Sequence, residues 1–186
     1  MTQEFAPSRV SQASVPIPFE IHPESSEEQA LIEPLLDRAF GPDRRARTVY
    51  RLRDRPPAEG LSYVARHADG RLLANIRYWP VMIGKTPAIL LGPLAVEPSI
   101  QGRGVGKALV AHSLGEAIRR GHRICIVVGE PDYYAAFGFR PASEFGLILP
   151  GPVDPHRFQA RELVSGALKG VSGLISPAPV GTPGQA

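Results

Sequence analysis

The sequence is poor in cysteine and lacks a long apolar run. Its single cysteine, Cys125, cannot form an internal disulfide, and its place in the apolar run ICIVV favours core packing over redox chemistry. The longest apolar stretch, residues 88–96, is far shorter than the roughly 18 residues of a membrane helix. The first residues carry no apolar segment typical of a secretory signal. We therefore expect a cytoplasmic protein that does not contact the membrane.

A metal-binding pattern and a strong charge of one sign are also missing. The five histidines and the cysteine are scattered along the chain, so the sequence predicts no metal site. The net charge of +3 does not by itself indicate a nucleic-acid partner. With 186 residues, 43% of them hydrophobic, the chain is long enough for one globular domain. We expect flexible tails at residues 1–16 and 175–186 around a single domain at residues 17–174.

The periodicity predicts the element order β-α-β-β-β-α-β-α-β. The first helix is predicted from apolar residues at helical spacing between residues 31 and 40, and it ends at Gly41. Asp69-Gly70 and Gly84-Lys85 are typical hairpin turns, so three antiparallel strands precede residue 97. A helix followed by the β-branched run RICIVV then indicates a crossover to a parallel neighbour. The fold class is therefore α/β in the mixed α+β sense.

A glycine-rich stretch, QGRGVGK, lies between the third of these strands and the second helix. Its glycines, Gly102, Gly104 and Gly106, alternate with other residues and flank Arg103 and Lys107. A helix N-terminus offers unpaired amide hydrogens, and glycines let an anion approach them, so the stretch favours a phosphate site. The spacing fits neither a Walker A loop nor a dinucleotide fingerprint. A glycine-rich turn without a ligand is the alternative.

The stretch Gln101–Gly106 resembles the Q/R-x-x-G-x-G/A signature of the GNAT superfamily of acyl-CoA-dependent N-acyltransferases. The resemblance extends to YYAAFGFRP, where Tyr134 lies four residues before Gly138-Phe139, as a tyrosine commonly does in that family. It implies a GNAT-like fold, with a central, mostly antiparallel sheet flanked by helices and a splayed pair of parallel strands that binds the cofactor. The implied co-substrate is acetyl-CoA, with no metal.

The resemblance also implies which residues hold coenzyme A. The strand end would bind the pantetheine arm and the signature would bind the pyrophosphate. These residues are Leu94, Ala95, Val96, Gln101, Gly102, Arg103, Gly104, Val105, Gly106 and Lys107. The residues themselves support the strand part, because Gly92-Pro93 predicts a bend that would splay the strand from RICIVV and leave backbone groups unpaired. A bulge at a sheet corner, without a ligand, is the alternative.

The sequence and the resemblance identify some of the catalytic groups but not the general base. The resemblance implies that Tyr134 protonates the leaving sulfur as general acid and that the amide of Val96, or a near neighbour, donates to the thioester oxygen. A packing role is the alternative for Tyr134. Family members often carry a glutamate on the strand before Val96, but AILLGPLAV contains no acid. The base is therefore Glu97, Glu130 or water.

Three functions remain open at this point. The first is an N-acetyltransferase that acts on a primary amine of a small molecule or protein, and the second is an acyl-CoA-binding or sensing module without catalysis. The third, a nucleic-acid binder, is suggested by six arginines between residues 44 and 55, although such a run is usually a solvated surface. If residues 47–53 are helical, Arg47 and Arg51 share a face and grip a carboxylate or phosphate of the acceptor. The sequence leaves the oligomeric state open, and a homodimer is among the states that it allows.

Overall fold

A β-sheet of nine strands runs through the part of the chain that the computed structural model describes, residues 17–179. The strands are β1 (Phe19–Pro23), β2 (Tyr63–His67), β3 (Leu72–Ile83), β4 (Thr86–Val96), β5 (Ile124–Val128), β6 (Arg140–Pro141), β7 (Leu147–Ile148), β8 (Phe158–Glu162) and β9 (Gly173–Pro177). The α-helices are α1 (Gln29–Phe40), α2 (Val105–Arg119) and α3 (Pro131–Ala135). The element order predicted from the sequence is present, and the short strands β6, β7 and β9 are additional.

The sheet order is β1-β2-β3-β4-β5-β8-β6, with β9 paired to β3 and to β7. The strands β1 to β4 form an antiparallel meander, with turns at Asp69-Gly70 and Gly84-Lys85 as the sequence predicts. Helix α2 then crosses to β5, which pairs with β4 in parallel. The mixed sheet expected from the residues and from the GNAT resemblance is therefore confirmed.

The two long helices cover opposite faces of the sheet. Successive residues of a strand point to opposite faces. Val64 of β2 packs with the buried residues Ile32 and Leu35 of α1, whereas its neighbour Ala65 packs in the core cluster that contains Leu109 of α2. Cys125 lies in this second cluster and is fully buried, which confirms its packing role. Burial also raises the pKa of its thiol far above the ordinary value.

The packed domain extends beyond the boundary expected at residue 174. Strand β9 pairs with the end of β3, and Ile175 is fully buried against it. Pro177 lacks an amide hydrogen, and it is accommodated because it ends its strand at the periphery of the sheet. The expected N-terminal tail at residues 1–16, and residues 180–186 of the expected C-terminal tail, lie outside the described residues. Between residues 17 and 179, no helix is long and apolar enough to cross a membrane.

Candidate active site

Strands β4 and β5 separate at the centre of the sheet. They pair only where Ile89–Leu91 faces Cys125–Val127. Directly after this pairing, the register between β3 and β4 shifts opposite Gly92 and Pro93, so that Tyr78 faces Leu91 but Ile76 faces Leu94. The bend expected at Gly92-Pro93 is therefore present, and it opens a gap between β4 and β5 from Leu94 onward.

The last residues of β4 turn backbone groups into this gap that do not pair with a neighbouring strand. The Glu97 amide donates to the Leu73 carbonyl at 2.8 Å, so Glu97 faces β3. Because backbone groups alternate sides along an antiparallel strand, Leu94 and Val96 face the gap whereas Ala95 faces β3. Ala95 pairs with Asn75 and packs against α1, so it offers the gap no backbone group. The Val96 carbonyl already accepts from Gln101 Nε2 at 3.3 Å.

Helix α2 begins where the gap ends. Gly102 and Gly104 have φ angles of 79° and 87°, a region that side-chain-bearing residues rarely adopt. A β-carbon on either glycine would meet no atom within 4 Å, so both border open space. The amides of Val105, Gly106 and Lys107 lie in the first turn of α2, where a helix has no internal partners for them. Bare amides and open space together suit an anion.

Gly106 is small for a different reason from the other two glycines. A β-carbon there would lie 2.9 Å from the Tyr133 hydroxyl and 3.1 Å from Val96 Cγ2. The residue is buried, and its backbone conformation is helical. The sequence interpretation assigned all three glycines to phosphate contact; the absence of a side chain at Gly106 also lets α2 approach the end of β4 and Tyr133 of α3.

A cavity of about 770 Å³ adjoins the bend of β4. Its lining includes residues 91–94 of β4 and residues 127–130 at the end of β5 and directly after it. The lining also includes residues 44, 46–50 and 53 of the arginine segment and residues 152–154 and 157. Tyr133 and Tyr134 also line it. Leu94 and Gln101 are the predicted coenzyme A residues that reach this cavity, whereas Gly102 to Lys107 lie at the start of α2, apart from its lining.

Tyr134 is held firmly at the cavity wall. Its side chain is only 7% exposed, and it packs edge-on against Tyr133 and Phe139 with ring centroids 5.0 and 5.6 Å away. Its ring also lies directly on Gly129, because a β-carbon on Gly129 would be 2.2 Å from Tyr134 Cε2. Burial raises the pKa of Tyr134 well above the ordinary value. The hydroxyl is therefore protonated at neutral pH and able to donate a proton.

The carboxylates near the site differ from the expected set. Glu130 lines the cavity and pairs with Arg157 at 3.2 Å. Glu97 instead binds Arg38 through two hydrogen bonds of 2.9 and 3.1 Å, outside the cavity. Asp154 lines the cavity, but the sequence interpretation missed it because its loop carries no motif. No group of three or more potential metal ligands occurs in residues 17–179.

The arginine segment reaches the cavity, but not through the predicted pair. Residues Pro42–Ala46 and Thr48–Leu52 form two 3-10 helices, and Arg47 between them is extended, with φ −69° and ψ 144°. Arg51 turns away and donates to the Pro150 carbonyl at 3.1 Å. The predicted clamp of Arg47 and Arg51 on one helical face is therefore wrong, because the helix breaks at Arg47. The arginines that line the cavity are Arg44, Arg47, Arg53 and Arg157.

The splayed strands, the glycine-capped helix and the buried tyrosine define an acyltransferase type of site, and comparison with known proteins gives the family. Residues 58–141 match the family model described as the acetyltransferase (GNAT) domain. The N-acetyltransferase YhbS of Escherichia coli strain K12, itself uncharacterized, is 31% identical over 149 residues, which cover 77% of this chain and 87% of YhbS. The chain belongs to the GNAT family of N-acetyltransferases.

Solved structures agree with this assignment. The crystal structure of Escherichia coli YhbS in complex with CoA matches with a TM-score of 0.76 and 26% identity, over 95% of this chain and 94% of that chain. A GNAT family acetyltransferase from Brucella melitensis, in complex with acetyl-CoA, matches with a TM-score of 0.64 and 26% identity. That match covers 86% of this chain and 96% of the Brucella chain.

Proposed function

We propose that the protein transfers an acetyl group from acetyl-CoA to a primary amine of a small molecule or protein by direct attack. The observation that carries the proposal is the gap between β4 and β5, which leads from the phosphate-suited start of α2 to the cavity beside Tyr134. The solved relatives with CoA and acetyl-CoA support the choice of co-substrate.

Three groups of residues would hold acetyl-CoA. The amides of Val105, Gly106 and Lys107 suit the pyrophosphate, because they lack partners at the positive end of a helix dipole. Gly102 and Gly104 keep this surface open, and Arg103 and Lys107 add positive charge nearby. The Leu94 and Val96 backbone faces the gap, where the two amides of pantetheine can pair with it.

The position of Leu94 makes its amide the better donor to the thioester oxygen. Leu94 lines the same cavity as Tyr134, whereas Val96 lies two residues closer to the phosphate end. A hydrogen bond from the Leu94 amide would stabilise the negative charge that develops on the carbonyl oxygen. We therefore assign to Leu94 the role that the sequence interpretation gave to Val96 or a near neighbour.

Tyr134 completes the reaction as the general acid. Acetyl-CoA supplies the activated acetyl group, and the neutral amine forms the new carbon–nitrogen bond as the carbon–sulfur bond breaks. The Tyr134 hydroxyl gives its proton to the departing sulfur. The amine loses its extra proton to Glu130 or Asp154, directly or through water, because these two carboxylates line the cavity. Glu97 is left out because Arg38 holds it elsewhere.

One observation favours a second candidate, an acyl-CoA sensor without catalysis. Strand β4 has the sequence TPAILLGPLAV, so it places no carboxylate beside the gap. Such a sensor would bind acetyl-CoA through the same backbone groups, and coenzyme A would not be released in the presence of any amine.

The test combines a screen of amines with the Tyr134→Phe variant. We expect coenzyme A release with at least one amine, and a fall in turnover of about 10²–10⁴-fold in the variant because a general acid is lost. The dissociation constant of coenzyme A, measured by calorimetry, should stay the same. Tyr63→Phe is the matched control, since its hydroxyl bonds the Gly60 carbonyl away from the cavity. Unchanged turnover in Tyr134→Phe would contradict the assigned role.

A further inference from the structure

Arg53 lies at the bend of β4, and its charge has no counterion among residues 17–179. Its Nη2 lies 3.1 Å from the position that a β-carbon on Gly92 would take. Its guanidinium stacks on the rings of Tyr50 and Trp79, with its central carbon 4.8 and 5.2 Å from the ring centroids. The Nε atom is shielded from water and has no hydrogen-bond partner. No carboxylate of the described chain lies within ion-pair distance of it.

The other arginines of the cavity are already compensated. Arg44 bonds Glu33 and Asp37 and also donates to the Tyr50 hydroxyl. Arg157 pairs with Glu130. Arg47 is exposed to water and donates to the Phe40 carbonyl. Arg53 therefore differs from its neighbours, because its partly buried charge faces the cavity without an acid to balance it.

A positive charge that lies at a cavity wall without a counterion suits an anion. Burial lowers the pKa of Arg53 to about 10, so the side chain is still protonated at neutral pH. The rings of Tyr50 and Trp79 offset part of the cost of burying this charge, and the Tyr50 side chain also interacts with the guanidinium, but the Nε–H group is left without a hydrogen-bond partner. A guanidinium matches the flat, two-oxygen edge of a carboxylate by parallel hydrogen bonds. A single free arginine balances one negative charge, which favours a carboxylate over a doubly charged phosphate.

We propose that the acceptor amine carries a carboxylate, and that this carboxylate pairs with Arg53 while the amine lies beside Tyr134. The inference rests on the proposed acetyl transfer, since Arg53 and Tyr134 line one cavity at the bend of β4. Arg53 is then a specificity-determining residue. It replaces the pair Arg47 and Arg51 that the sequence suggested for the same chemistry.

The first experiment measures binding without turnover. Trp79 is the only tryptophan of the chain and contacts the Arg53 guanidinium, so its fluorescence reports on an anion placed there. Protein saturated with coenzyme A is titrated with glycine, leucine, phenylalanine and 4-aminobutyrate, each compared with its amide at millimolar concentration. We expect at least one acid to change the emission, and its amide to have no effect.

Two variants show whether Arg53 causes the response. Arg53→Gln should remove it, whereas the control Arg51→Gln should retain it, because Arg51 lies two residues away but outside the cavity. The proposal is overturned if no acid changes the emission, if acid and amide act alike, or if the response survives in Arg53→Gln. Malonyl-CoA is also titrated, in place of coenzyme A. If it is the only compound that changes the emission, the carboxylate belongs to the acyl donor, and the proposal is equally overturned.

The second experiment measures selectivity in the reaction. For an acceptor found in the screen, kcat/KM for the acid should exceed that for its amide by about 10- to 100-fold, the range of a charged hydrogen bond. Arg53→Gln should abolish this ratio mainly through the KM of the acceptor. If wild type acetylates acid and amide equally, the acceptor proposal fails while acetyl transfer stands. If no amine is acetylated although coenzyme A binds, the proposed function fails, and the Trp79 titration still decides on the anion site.

Discussion

Replacing Gly129 by alanine should disable Tyr134 without touching its hydroxyl. Gly129 follows β5, and its amide and carbonyl are bonded to the Arg157 carbonyl and to Gln159 Nε2, so its backbone is fixed. The added β-carbon would lie 2.2 Å from Tyr134 Cε2 and 2.9 Å from Cδ2. Since carbon atoms in contact are about 3.5–4.0 Å apart, the ring must move by roughly 1 Å.

The size of the effect follows from this displacement. A misplacement of about 1 Å in a catalytic group costs roughly 10²-fold in rate. Overpacking a well-filled site costs about 1–3 kcal/mol of the free energy of unfolding, which lowers Tm by roughly 2–12 °C in a chain of this length. We therefore expect turnover to fall about 100-fold and Tm to fall within that range, while the dissociation constant of coenzyme A stays the same.

The assay follows coenzyme A release at saturating acetyl-CoA, with calorimetry for affinity and a thermal melt for stability. Gly115→Ala is the matched control, because Gly115 lies inside α2 and a β-carbon there meets no atom within 4 Å. That control should keep full turnover and gain about 0.5–1 kcal/mol of stability, since alanine favours the helix.

The double variant Gly129→Ala/Tyr134→Phe tests whether the loss acts through the tyrosine. If it does, the double variant should turn over about as slowly as Tyr134→Phe alone, because the hydroxyl is already absent. A further loss of about 100-fold in the double variant would show that Gly129 acts by another route. Wild-type turnover in Gly129→Ala, together with a lowered Tm, would refute the link between the position of this ring and catalysis.

Two further predictions concern the start of α2 and the core. Coenzyme A at about 100 times its dissociation constant should raise the Tm of the wild type by roughly 5–11 °C. Gly104→Val should abolish this rise, because the φ of 87° and the space for the anion both need glycine. A rise that is retained in the variant would contradict the phosphate assignment. Cys125 should not react with a thiol reagent in the native protein, because it is buried and burial raises the pKa of its thiol. After denaturation, one thiol per chain should react. Labelling of the native protein would contradict this prediction.

The parts of the fold that depend on local sequence could be predicted. The hairpin turns at Asp69-Gly70 and Gly84-Lys85 and the bend at Gly92-Pro93 follow from residue types that favour those conformations by themselves. The glycine cap of α2 could be predicted for the same reason, since positive φ angles at Gly102 and Gly104 require glycine. The GNAT resemblance added the role of Tyr134, which stays a prediction.

Features that depend on contacts between distant residues could not be predicted. Gly106 is small because Tyr133, far along the chain, packs against the start of α2. The significance of Arg53 depends on the ring of Trp79 in β3 and on the break at Arg47, and neither is visible in a run of arginines. Strand β9 escaped detection because its last residues, Ser176 and Pro177, begin a run of sequence, SPAPVGTPGQA, that is typical of an unstructured terminus, and only its pairing with β3 makes it a strand.

The gap between β4 and β5 also bears on how the protein behaves when it is handled. Leu94 and Val96 expose strand backbone on the side away from β3, so the sheet has an open edge in its interior as well as at its ends. Open edges are templates on which strands of other molecules add, and they promote aggregation. A bound pantetheine arm would cover this edge. We therefore expect the protein to remain monodisperse longer at high concentration when coenzyme A is present during purification than when it is removed.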